Sequence, residues 1–496
     1  LIFQDGIINS AIVDRGEPEH QTNGRDVPVI VWLRRDLRLA DNPALCAAVD
    51  TGKPVIVLYI YETDSARPLG AASQWWLYYS LYALGQDLAQ VGGSLILRKG
   101  QAKAVLEAVI HESGADCVLW NRRYSEDARK RDGAIKDILS ARGLTVTSFR
   151  AALLTEPWTV KTKTGGYYKV FTPYWRAARA HISDHPPLAC PVKIRRAAPL
   201  ASDDIASWSL RPYAPDWGQK FAPHWQPGQA GAARALTRFL AGPVETYITD
   251  RDRPDKDRAT SHLSPHLAFG EISPRQIWHA CSGDKDKAEK FLTEIGWREF
   301  AYVLLFHNPA LAVQNFKPHF DRFHWQGDDV SLAQWQNGLT GYPFVDAGMR
   351  QLWQTGWQHN RVRMVTASFL IKHLLIDWRY GERWFWDTLV DADPASNAAG
   401  WQWVAGSGAD ASPYFRIFNP VTQGEKFDPE GLYIRRYIPE LSHLPNKYIH
   451  RPWEAPQNIL DYAGVTLGKT YPHPIVDHKM ARARALAAYK DCRKDE

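Results

Sequence analysis

Asn397, Trp401 and Trp403 share the stretch NAAGWQWVAGSGADASPYFR, residues 397–416. A plain core needs neither the amide nor the arginine. A pocket for something flat and polar needs both, because indoles stack and a carboxamide donates and accepts. A second stretch, TSHLSPHLAFGEIS (260–273), offers the hydroxyls of Thr260, Ser261 and Ser264 at an expected helix start. Hydroxyls beside free helix N–H groups suit a phosphate or pyrophosphate, and they equally make an ordinary N-cap. A third, GWQHNRVRMVTASFLIKHLLIDW (356–378), puts Asn360, Arg361 and Arg363 into a strongly apolar predicted helix. A buried charge there needs a partner. LVDADP (389–394) supplies Asp391 and Asp393, so an Arg363–Asp391 pair is expected, structural or functional. FLTEIGWREF (291–300) sets Glu294 and Trp297 on one helix face. That pairing suits a flat base, or is simply a solvated Glu beside a half-buried Trp. Trp325, Trp378 and Trp401 lie in three segments. Each reads as core, and spacing does not place them in a row.

The elements that position these residues fall into two kinds. Short β-rich runs, VPVIVW (27–32), PVIVLYI (54–60), SLILR (94–98), DCVLW (116–120) and LTVTSF (144–149), alternate with helical patterns such as 74–90 and 126–143. This predicts a Rossmann-like parallel sheet covered on both faces, an α/β domain over residues 28–155. No G-x-G-x-x-G follows the first run, so the shape alone does not imply a nicotinamide cofactor. Residues 156–225 turn rich in Pro, Gly and basic residues and read as an interdomain connector with a little helix. From 226 to 490 the periodicity is helical, as in 230–242, 286–306 and 343–356, and predicts a larger all-α domain. Residues 1–27 read as a flexible extension and 491–496 as a tail.

Composition narrows the class. The 496 residues call for two or three domains. No run of 18 apolar residues occurs and no signal-peptide pattern opens the chain, so neither a membrane span nor secretion is expected. Cys46, Cys117, Cys190, Cys281 and Cys492 are scattered with no C-x-x-C, which supports no metal site or disulfide framework and fits a reducing cytoplasm. A net charge of +6 permits a nucleic-acid partner without demonstrating one. The 21 tryptophans are about three times ordinary usage, from Trp-rich cores or from stacking and electron-carrying platforms.

Taken together, these motifs and their order resemble the DNA photolyase/cryptochrome family. VWLRRDLRLADNPAL (31–45) looks like its opening strand and loop, IDWRYGERWFW and FRIFNPVTQGEKFDPEG extend the match, and YPHPIVDHKMARARALAAYK (471–490) is similar to its usual ending. The likeness is strongest to bacterial cyclobutane pyrimidine dimer photolyases, in the wording of 260–273 class III more than class I.

The resemblance implies FAD in the helical domain, active when reduced. Tyr247 and the segment Thr260, Ser261, His262, Leu263 and Ser264 resemble the residues on its phosphates. Phe291, Trp357, Asn360, Arg363, Asp391, Asp393 and Asn397 resemble those around the rest of it, with Asn397 facing the flavin N5. Asn there is the photolyase choice, where plant cryptochromes usually carry Asp and animal ones often Cys. Trp401, Trp378 and surface Trp325 fall where the family's photoreduction chain falls. Glu294, Trp297, Asn360, Met364 and Trp403 resemble the contacts to a cyclobutane dimer, and Arg298, Arg361 and Gln423 resemble DNA contacts. A single His359 in QHNRVRM, in place of the His pair typical of (6-4) enzymes, favours the cyclobutane lesion. The implied activity is light-driven repair by electron transfer from excited reduced FAD to a flipped-out dimer, by a monomer in the cytoplasm, at the nucleoid in a bacterium. A blue-light photoreceptor without repair is the alternative. The expected antenna is methenyltetrahydrofolate, with a deazaflavin or none as alternatives. Asp127 and Ala128 stand where many folate-binding relatives show Asn and Glu, so no antenna contact is assigned.

Overall fold

The computed structural model describes residues 26–212, 214–410 and 415–493. The expected flexible extension, except its last two residues, and the end of the expected tail lie outside them. Five parallel strands form one sheet in the order β3-β2-β1-β4-β5: β1 Val29–Leu33, β2 Val55–Glu62, β3 Leu95–Gly100, β4 Cys117–Asn121 and β5 Thr145–Phe149. Every residue of β1 is buried. That is the condition of a central parallel strand covered on both faces, and it explains the unbroken apolar run VIVWL. Val29, Val31 and Leu33 pack with Trp75, Trp76 and Leu77 of the helix Ala71–Gln90. Ile30 and Trp32 pack on the other side with Leu106 and Val109 of the helix Ala102–Ser113 and Ile135 of the helix Glu126–Ala141.

The carboxyl end of β1 docks onto the helical body. Leu37 N–H donates to the Phe269 carbonyl at 3.2 Å, and the Arg38 guanidinium to the Gly270 carbonyl at 2.8 Å. Buried Asp41 accepts from Ser273 and Arg275. Gly270 is required here. Its φ is +66°, and a Cβ would meet the Arg35 carbonyl oxygen at 2.1 Å. The segment beyond residue 155 carries the helix Phe171–Arg179 and two short 3-10 turns. It returns along the sheet, where Val55 N–H donates to the Arg195 carbonyl at 2.8 Å.

The rest of the described chain is helical and encloses two large apolar clusters. One expectation needs correction. Residues 356–378 are not a single helix. The helix Asn360–Ser368 passes into a π turn, Phe369–His373, and the chain then breaks before the helix Trp378–Thr388. Two features stop it. Leu375 adopts φ +53°, and the Asp377 carboxylate accepts from Arg379 N–H at 2.9 Å, capping a new helix.

A buried carboxyl joins the two halves. Glu299 Oε2 accepts from Leu154 N–H at 2.8 Å and Thr155 N–H at 3.1 Å. Burial pushes its pKa up to about 7, against the opposing pull of Arg298. The folded-state value therefore lies above the ordinary 4.5, so this group makes stability fall as pH rises from about 4.5 to 7. The expected outcome is a pH-dependent loss, at most about 1.4 kcal/mol per pH unit, that Glu299→Gln abolishes while keeping an acceptor for both N–H groups. Urea unfolding of the two proteins across that range measures it, and equal slopes would contradict it.

Candidate functional site

Segments distant in sequence enclose a cavity of about 710 Å³. The helix Lys285–His307 turns Phe291, Glu294, Trp297 and Arg298 towards it, a spacing that places them on one face. The helix Asn360–Ser368 supplies Asn360, Arg361, Arg363 and Met364. The helix Pro394–Ala405 supplies Asn397, Trp401 and Trp403. Tyr247, Ser261, Leu263, Ser264, Asp391 and Asp393 complete the predicted residues that line it.

The expected ion pair forms. Arg363 Nη2 lies 2.8 Å from Asp391 Oδ2, which also accepts from the Ser264 hydroxyl at 2.6 Å. Asp391 Oδ1 is buried and has no hydrogen-bond partner among the described residues. A buried carboxylate oxygen without a donor is costly, and an N–H of a flat heterocycle seated in the cavity would satisfy it. Asp393 acts as the cap of its helix, accepting from Ala395 N–H at 3.0 Å and Ser396 N–H at 2.7 Å, and from the Tyr302 hydroxyl at 2.6 Å. Pro394 opens that helix without wasting a donor. Asn397 Nδ2 donates to the Glu382 carbonyl at 3.0 Å and to Glu382 Oε1 at 2.9 Å. With both amide hydrogens engaged, Oδ1 is the group left to the cavity.

Neighbours hold several of the wall residues in place. Phe291 packs against Phe239 and Tyr247. Trp297 stacks on Phe171 with ring centroids 3.8 Å apart. Arg298 donates to the Ala152 carbonyl at 2.7 Å. Thr260, His262 and Trp357 stand outside the cavity wall. His262 stacks on Trp357 at 4.8 Å, and the Trp357 indole donates to Ser264 at 3.2 Å. Ser264 opens a helix as expected, but only the short Ser264–Phe269. Gln423 lies in an adjoining pocket that shares Arg361 and Met364 with the main one. His359 caps the helix Asn360–Ser368, and burial pushes its pKa down to about 3, so it stays neutral.

The three tryptophans belong to one packed region. Trp401 lines the cavity and meets Phe385 at 5.0 Å. Trp378 is fully buried and donates to Asn315 at 2.9 Å. Trp325 is partly buried, on the edge of the same cluster. Gly381 allows close packing on Trp401, since a Cβ there would lie 2.1 Å from the indole.

Sequence reasoning missed Arg251, Asp252 and Lys290. Arg251 and Lys290 both pair with Glu294, and Asp252 holds Arg361 at 2.8 Å. The signal was the run DRDRPDK (250–256) just after Tyr247, which reads as a solvated face unless Tyr247 is already placed. Glu382 was missed as well, hidden in a helix dominated by aromatics.

Comparison with known proteins gives this site its context. The family described as DNA photolyase matches residues 29–192, and the FAD binding domain of DNA photolyase matches residues 291–491. The deoxyribodipyrimidine photo-lyase of Agrobacterium fabrum is 55% identical over 95% of this chain and 99% of its own. Cryptochrome-1 of Arabidopsis thaliana is 41% identical over 92% of this chain and 69% of its own. The crystal structure of a bacterial class III photolyase from Agrobacterium tumefaciens superposes with a TM-score of 0.92 at 54% identity, covering 96% of this chain and 99% of that one. The chain belongs to the DNA photolyase family, and its parallel-sheet and helical domains are those of photolyase structures.

Removing one member of the Arg363–Asp391 pair leaves a buried charge. Arg363→Met is expected to cost up to about 3 kcal/mol, the low end for breaking a buried pair, because the Arg363 side chain keeps some exposure. Asp391→Asn combined with Arg363→Met should recover part of the loss. Chemical denaturation of the three variants measures this, and a neutral Arg363→Met would refute it.

Proposed function

We propose that this member of the DNA photolyase family is a deoxyribodipyrimidine photolyase of class III, which repairs cyclobutane pyrimidine dimers in DNA with light. The observation that carries the reading is the union of two residue sets in one cavity: Ser264, Arg363, Asp391 and Asn397 for a flavin, and Glu294, Trp297, Asn360, Met364 and Trp403 for a dimer. FAD, bound in its reduced form, supplies the electron that opens the dimer and takes it back. The orphaned Asp391 Oδ1 and the free Asn397 Oδ1 are acceptors that fit the N–H edge of that group.

The chain's own residues do the rest. Arg361, Gln423, Lys426 and Arg416 border the adjoining pocket and suit phosphates on either side of a flipped nucleotide pair. A dimer flips at lower cost than an intact pair because its stacking is already weakened. Trp297 and Trp403 supply apolar walls that exclude water. Glu294 hydrogen-bonds the dimer, with Arg251 and Lys290 paired to its carboxylate and aiming it. Trp401, Trp378 and Trp325 form the route by which electrons reach the cavity from solvent. The protein acts as a monomer on chromosomal DNA, in the cytoplasm. The antenna of the sheet domain is methenyltetrahydrofolate by the family's habit, with a deazaflavin, or no antenna, as the alternatives. The 41% identity to a plant cryptochrome favours a second reading, a photoreceptor without repair.

The deciding experiment uses an oligonucleotide with a single thymine cyclobutane dimer and chemically reduced protein, dark or under blue light. Dimer loss only in the light is expected, and Glu294→Ala should lower the yield while FAD stays bound. No loss from protein that carries reduced FAD would move the reading to a photoreceptor. Trp378→Phe should slow light-driven reduction of the flavin yet spare repair by chemically reduced protein. Unchanged photoreduction would refute this electron route.

A further inference from the structure

We propose that Arg67, in the loop after β2 of the sheet domain, is a positioning residue for the Asn397 amide of the helical domain, acting through the Glu382 carboxylate. The proposal rests on the reading that Asn397 faces the flavin. Arg67 Nη2 lies 2.7 Å from both carboxylate oxygens of Glu382, and Glu382 Oε1 accepts from Asn397 Nδ2 at 2.9 Å. One guanidinium nitrogen, shared between both carboxylate oxygens, thus connects a surface loop of one domain to the cavity wall of the other.

The loop is fixed to its target. The Trp386 indole donates to the Pro68 carbonyl at 2.8 Å, and Ala71 N–H to Asp387 Oδ1 at 2.9 Å. Gly70 sits so close that a Cβ would meet the Trp386 carbonyl oxygen at 2.1 Å. The Arg67 guanidinium stacks over the Trp386 ring at 3.7 Å. Two aligned anchors therefore aim Arg67 at Glu382.

The Glu382 side chain is only 2% exposed, against 29% for Arg67. Burial pushes its carboxyl upward, and Arg67 opposes this most strongly, followed by the hydrogen bond from Asn397 and the charge of Arg383 on its own helix. Arg67 is thus the main group opposing protonation of this buried carboxyl. An ionised carboxylate only accepts. It takes one hydrogen of the Asn397 amide while the Glu382 backbone carbonyl takes the other at 3.0 Å. The carboxylate polarises the amide, and hydrogen bonds in such chains strengthen one another. Asn397 Oδ1 then becomes a stronger acceptor on the cavity side, which favours a protonated N5 and so the reduced flavin. Once Arg67 is gone, Glu382 takes up a proton more readily and the polarisation weakens.

The test is pH-dependent infrared spectroscopy of the flavin-loaded protein, with the flavin midpoint potential measured alongside. Glu382→Gln identifies the carboxyl band. In Arg67→Met that band is expected to titrate about 1–3 pH units higher than in the parent. The midpoint potential should move to more negative values, and Arg67→Lys should restore both in part. Titration at an unchanged pH in Arg67→Met overturns the proposal. So does an unmoved potential in Arg67→Met when Asn397→Ala shifts it. An unmoved potential in Asn397→Ala would instead overturn the placement of Asn397 at the flavin, with the infrared titration still deciding whether Arg67 governs Glu382.

Discussion

The ion pair of Arg363 with Asp391 is the contact around which the site is assembled. It ties the helix Asn360–Ser368 to the loop before the helix Pro394–Ala405, and the Ser264 hydroxyl adds a third segment to the same oxygen. None of these three segments is near another in sequence. Each carries residues whose chemistry is useful only in company: Asn360 and Met364 on one, Asn397 and Trp401 on another. A buried pair of charges is a weak source of net stability but a strong specifier of arrangement, because any register that separates the partners leaves a charge unpaired. Here the specified arrangement is the cavity itself.

The tryptophans show how one residue type serves two demands. Trp378 and Trp401 lie in the main apolar cluster of the helical domain and fill it as ordinary core. The same packing, made close by Gly381, sets the Trp401 indole against Trp335 and Phe385, with ring centroids 6.2 and 5.0 Å away. Under the proposed function, core density and a route for charge would be met by the same side chains.

The strand pattern was legible to within two residues at each boundary, because β-branched runs buried on both faces have few other uses. The Arg363–Asp391 pair was legible for a similar reason: an arginine in an apolar helix must find a carboxylate, and only a few were near. What stayed hidden was the set of contacts that depend on side chains returning from elsewhere in the chain. Arg67 and Glu382 are 315 positions apart, and neither sits in an unusual pattern. Arg251 was hidden by its charged neighbours, which made the run look like open surface. The break after His373 was misread because FLIKHLLI is largely apolar despite Lys372 and His373, and the new helix start is marked by the capping carboxylate of Asp377 and the left-handed Leu375 rather than by hydrophobicity. Family likeness supplied roles for residues such as Asn397 that no periodicity could have distinguished from a surface amide.

The docking of the β1 loop on residues 269–275 bears on synthesis. Asp41 accepts from Leu188 N–H at 2.9 Å, but its side-chain partners are Ser273 and Arg275, and Arg38 relies in part on the Gly270 carbonyl. The last strand of the sheet ends at Phe149, about 120 residues before those partners. At a translation rate of ~5–20 residues per second, the sheet domain waits roughly 6–24 s outside the ribosome without these side-chain partners for the Asp41 carboxylate. The nascent sheet is thus a hydrated, open-ended unit, whose loop closes only when the helical chain arrives to cover it.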